Sequence, residues 1–80
     1  MVGRIVMSKA GRDKNKAQVI LKVTENYLLV CDGKERPVER PKRKNPKHLR
    51  LTKLYLEAHQ LETNRALRKA LKAIGYEEEM

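Results

Sequence analysis

The hydrophobic period of this chain switches near residue 53, and the switch limits what its 80 residues can fold into. Upstream, apolar residues recur at every second position: Ile5 and Met7, then Val19, Leu21 and Val23, then Leu49 and Leu51. Such alternation lines one face of a β-strand, because successive Cβ atoms point to opposite sides. Val6 breaks the strict pattern and implies burial on both faces of the first strand. Downstream, Leu54, Ala58 and Leu61 are spaced as on one face of a helix, and Leu67, Leu71 and Ile74 repeat that spacing. Leu67 follows Leu61 by six positions. At about 100° per residue the second set misses the first face by about 120°. The stripe should therefore break near Glu62–Asn64, where Thr63 or Asn64 caps a second helix that Gly75 ends.

Turn chemistry divides the first half into a meander. Residues 9–16 form a polar loop, Glu25-Asn26 fits a two-residue turn, and Tyr27 to Cys31 reads as a largely apolar strand. Asp32-Gly33 is a hairpin signal, because a tight turn needs positive φ. The next segment, Glu35 to Arg40, carries Pro37, which cannot donate to a ladder and so suits an edge strand. Pro41 to Pro46 reads as a basic loop, followed by a last strand containing Leu49 and Leu51. Five short strands in about fifty residues point to a mainly β fold, a small barrel, followed by C-terminal α-helices. The meander is expected to carry its own alternating core.

The chain is long enough for one domain but not for a deep catalytic cleft. Its net charge of +9 attracts polyanions, and the charge is concentrated. Residues 34–53 carry net +7, against +3 for residues 1–33 and −1 for residues 54–80. Cys31 is the sole cysteine, so no internal disulfide forms and a reducing compartment fits. The opening apolar run, Ile5 to Met7, is too short for a signal peptide, and a cytoplasmic location is expected.

Gly3 to Gly33, GRIVMSKAGRDKNKAQVILKVTENYLLVCDG, resembles the KOW motif: an apolar strand, a basic loop with a nearly fixed glycine, and a second alternating strand. Gly11 matches that glycine, and Lys9, Arg12, Lys14 and Lys16 line the loop. Many members of the family carry a second glycine where this chain has Asn15. The likeness is to small bacterial KOW-domain RNA-binding proteins, relatives of KOW-bearing large-subunit ribosomal proteins of archaea and eukaryotes. It continues through RPVERPKRKNPKHLRLT and, more weakly, into NRALRKALK. The resemblance implies an SH3-like barrel over residues 1–52, including basic loop 41–47, with a helical extension over 53–80. It also implies RNA binding in a ribosomal or translational setting.

The candidate RNA contacts are Lys9, Arg12, Lys14 and Lys16, with Arg36, Arg40, Lys42, Arg43, Lys44, Lys47 and His48 from the basic stretch; Gly11 and Gly33 are structural turn residues. Cations on a glycine-containing turn can reach phosphates together with backbone N–H groups. Aromatics are few: Tyr27 is expected in the core or at the barrel rim, and Tyr55 and Tyr76 are expected to pack beside helices. Base stacking is then a minor term, and phosphate and shape recognition of structured RNA, which the resemblance implies is ribosomal RNA, is favoured.

No zinc spacing, Walker loop, nucleophile elbow or paired carboxylates stand out, and His59 reads as a solvated helix residue. A binding module without cofactor is expected rather than an enzyme. The competing reading is a protein-interaction adaptor of the transcription or translation machinery, using the barrel and the helices. Attachment to membrane through the last helix is a weak third, since its apolar face lacks Trp and Phe.

Overall fold

The computed structural model describes residues 1–9, 11, 14 and 16–74. Among these, five strands form one antiparallel sheet: β1 (Arg4–Ser8), β2 (Ala17–Val23), β3 (Leu28–Cys31), β4 (Lys42–Lys44) and β5 (Leu49–Tyr55). A single α-helix, α1 (Asn64–Ala73), follows. The spatial order is β4-β3-β2-β1-β5, so the fifth strand returns to pair with the first. Among the described residues no helix is long and apolar enough to cross a membrane.

Both faces of the central strands are buried, as Val6 implies. Ile5, Met7, Ala17, Val19 and Cys31 form a cluster on one face, closed by Leu67 and Leu71 of α1. Val6, Ile20, Leu28, Val30 and Leu49 form a second cluster on the other face. Lys44 pairs with Leu28 at one end of β3, whereas Ser8 ends β1 two strands away. Strand spacing alone would separate β4 from β1 by roughly 14 Å in a flat sheet. Lys44 Nζ nonetheless donates to Ser8 Oγ at 3.2 Å, a reach made by the long lysine side chain together with some coiling of the sheet.

Two irregularities accompany the coiling. Leu21 is an extra residue between the Ile20↔Val30 and Lys22↔Leu29 pairs, a bulge that leaves Val23 45% exposed. On β5 the register slips between the Val6↔Leu51 and Arg4↔Tyr55 pairs. Thr52 holds this slip: its hydroxyl donates to the Ile5 carbonyl at 2.6 Å, and Arg4 Nε donates to the Thr52 carbonyl at 2.6 Å. The two-residue turn at Glu25-Asn26 is present, closed by Thr24 N–H to the Tyr27 carbonyl at 3.0 Å.

Four sequence expectations are corrected. Glu35 to Arg40 is not a strand. Asp32 Oδ1 captures the backbone N–H groups of Lys34 and Arg36, and Pro37 and Pro41 have none to offer a ladder. The fourth strand is instead Lys42–Lys44, inside the segment read as a loop. Asp32-Gly33 accordingly opens a long connection rather than a tight hairpin, although Gly33 does take φ of +80°. Leu54 to Leu61 is not a helix either: β5 runs on to Tyr55, and Ala58–Leu61 makes a single 3-10 turn. Pairing with β1 outweighs a helical pattern too short to nucleate by itself.

The last helix matches its pattern. Thr63 caps it by accepting from Ala66 N–H at 3.0 Å, Leu67 and Leu71 are fully buried, and Arg65, Arg68, Lys69 and Lys72 are exposed. Its expected end at Gly75 lies outside the described residues. Leu67 and Leu71 complete one of the two clusters, so the strands do not carry the whole core among themselves.

Candidate nucleic-acid interface

The basic stretch is positioned by the ladder and by one capped turn. In β4, Lys42, Arg43 and Lys44 pair with Val30, Leu29 and Leu28, making an edge strand of three cations. Lysine-rich edges discourage pairing with other chains, so part of this charge density has a role in the fold itself. Asn45 then caps the 3-10 turn Pro46–His48 by accepting from Lys47 N–H at 2.9 Å. Lys47 and His48 are exposed on that turn.

This turn meets the loop that leaves β1. Lys9 N–H donates to the His48 carbonyl at 2.8 Å, and β5 begins at once with Leu49 opposite Ser8. A hollow of about 260 Å³ lies here, lined by Met7, Ser8, Lys9 and Arg50. Lys9 is thus brought beside Lys44, Lys47, His48 and Arg50, which follow one another closely about 35 residues further along the chain. Arg50 was missing from the candidates read from the sequence; its signal was an outward position on the strand directly after the basic turn.

The remaining candidates divide. Arg43 lies over the Tyr27 ring, 5.1 Å from its centre, and Tyr27 is half-buried just before β3. Gly11 takes φ of +77°, as a turn glycine does, and Lys14 is exposed. Lys16 is ion-paired with Glu35, so its charge is locally balanced. Arg36 and Arg40 lie on the 32–41 connection, which is fastened to α1 instead: Val38 N–H donates to Asn64 Oδ1 at 2.8 Å. Arg12, Asn15 and Tyr76 lie outside the described residues.

Tyr55 departs from the sequence reading. It stands on β5 rather than beside a helix, is 54% exposed, and has the Arg4 guanidinium 5.6 Å from its ring centre. His59 is exposed in the 3-10 turn that precedes α1. Cys31 is buried in the helix-side cluster, and its thiol pKa is pushed up to about 12, first by burial and then by the charge of Asp32.

Comparison with known proteins adds no name to this geometry: no family model and no curated protein matches the chain.

Proposed function

We propose that this protein is an RNA-binding module that recognises structured RNA, of the ribosomal kind, through phosphate and shape contacts. The observation that carries the reading is the Lys9–His48 backbone bond, which joins the loop after β1 to the basic 42–48 segment. It makes one cationic surface on a hydrogen-bonded framework. A duplex or folded RNA presents phosphates as a dense, fixed array, and a rigid set of cations meets such an array at little entropic cost.

The same reading takes the fold as an SH3-like barrel of the KOW type. The return of β5 to β1 and the meeting of Lys44 with Ser8 support closure of the coiled sheet around the second cluster. The KOW resemblance over Gly3 to Gly33 is the remaining support, and the positive φ at Gly11 agrees with it.

The test is sedimentation with ribosomes over a range of salt. Association at low salt, with log K falling by roughly 0.7–0.9 per phosphate contact as log salt rises, supports the reading. Changing Lys42, Arg43 and Lys47 to Gln should weaken binding and flatten the slope. Failure to associate with ribosomes or with structured RNA at low salt rejects it.

A second reading, a protein-interaction adaptor, has its own support. Leu51, Leu54 and Tyr55 on the edge strand β5 are 45%, 43% and 54% exposed. Apolar docking there would persist at high salt, where phosphate contacts fail.

A further inference from the structure

A second group of cations lies in a different part of the molecule. Helix α1 and the turn after β3 enclose a cleft of about 790 Å³, lined by Asp32, Gly33, Lys34, Arg65, Arg68, Lys69 and Lys72. The four helical cations follow one another at i, i+3, i+4 and i+7, and so form a single stripe about 10 Å long. The cleft shares no residue with the surface around Lys9, Lys44 and His48, and α1 covers the sheet face opposite the second cluster.

Its charges are not consumed within the described fold. Among the described residues no carboxylate forms an ion pair with Lys34, Arg65, Lys69 or Lys72. Asp32 is the acidic residue in the lining, and one of its oxygens already accepts from Lys34 N–H and Arg36 N–H. Arg68 is the exception, since it donates to the Gly33 carbonyl at 2.7 Å and so fixes the cleft's shape. Five like charges this close repel one another, a cost that an incoming polyanion relieves.

We infer that this cleft is a second phosphate-binding surface, gripping a segment of RNA backbone separate from the one held around Lys9 and His48. The inference rests on the reading of the protein as an RNA-binding module. A linear stripe of side-chain cations suits a run of phosphates along one strand better than a single compact anion. A chain with two such surfaces bridges two RNA segments, and each surface raises the effective concentration of RNA at the other.

The experiment uses the full chain and a short RNA hairpin whose stem is no longer than the 28 Å long axis of the molecule. Titration at low salt should saturate at about two hairpins per chain. Lys34→Gln, Arg65→Gln, Lys69→Gln and Lys72→Gln combined, with Arg68 kept, should leave the melting temperature no lower, since like charges are removed, and reduce this to one hairpin. On a long structured RNA the same variant should lower the salt slope by about three. The variant Lys42→Gln, Arg43→Gln and Lys47→Gln should remove the other hairpin and leave the helix-side one. One hairpin bound by the natural chain and unchanged in the cleft variant overturns the inference while the RNA-binding reading stands. Binding of none rejects both. Retained stoichiometry with lost binding of an acidic peptide overturns the inference in favour of a protein partner. If the combined variant melts lower, Lys69→Glu alone decides by the same stoichiometry.

Discussion

A guanidinium nitrogen of Arg68 donates to the carbonyl oxygen of Gly33 at 2.7 Å, latching α1 to the turn that leaves β3. The contact depends on glycine. Gly33 takes φ of +80°, and a Cβ there would stand 2.6 Å from the Asn64 carbonyl oxygen, which is backbone and cannot swing away. Gly11 takes a similar φ of +77°, but a Cβ there would meet nothing within 4 Å. Gly11→Ala should therefore cost only the left-handed penalty, about 1–2 kcal/mol. Gly33→Ala should cost about 3 kcal/mol or more, because the helix must also shift. Urea unfolding of the two variants checks the difference; equal losses would mean that the turn and α1 are not in close contact.

Gln18 is fully buried opposite Val6, on the side of the second cluster, and neither polar atom of its amide has a hydrogen-bond partner among the described residues. A buried amide without partners costs about 1–3 kcal/mol by mutational measures. Gln18→Met keeps the length and removes the polar group, so it should raise stability by about 1–2 kcal/mol. A fall in the thermal midpoint would show that the amide is satisfied in solution.

Leu67 is fully buried against β1, β2 and β3 through the helix-side cluster. Leu67→Ala should cost about 2–5 kcal/mol, a large fraction of the stability of so small a domain. Removing residues 63–80 would uncover Ile5, Met7, Val19 and Cys31 together, and the truncated chain should lose its cooperative thermal transition. A sharp transition in that chain would mean that the strands carry the core without α1.

The Cys31 thiol should be inert to thiol reagents at neutral pH in the folded protein and reactive only after unfolding. Its folded pKa, near 12, lies above the ordinary value of 9.0. The folded state thus holds the proton more firmly than the unfolded chain does. The stability this gives is present in full below about pH 9 and is lost as pH rises from there towards 12. Cys31→Ala should flatten the fall of the melting midpoint between pH 8 and roughly 10.5, whatever its effect on the midpoint at neutral pH. Parallel pH profiles for the two proteins would contradict the raised pKa.

Much of the architecture follows from local pattern. Alternation located β1, β2 and the start of β5, the apolar run located β3, and the break after Leu61 placed the cap at Thr63 or Asn64 and the buried face of α1; the structure chooses Thr63. Those signals are local: a pleat shows itself every two residues, and a helix face every three or four. What stayed hidden depended on competition between distant segments. Lys42–Lys44 has no apolar pattern and becomes a strand because β3 offers an unpaired edge, while prolines and Asp32 remove residues 34–41 from contention. Leu54 and Tyr55 stay extended because β1 holds them. The clustering of charge between residues 34 and 53 was plain in the sequence, but its division was not. Pairing of β5 with β1 sets His48 beside Lys9, and the Lys44–Ser8 hydrogen bond brings Lys44 to the end of β1, while Asn64 draws the 32–41 connection, with Lys34, towards the cations of α1. Sequence alone determined the sign of the surface and the periods of its elements. Which cations share a surface was decided by long-range hydrogen bonds that no local pattern encodes.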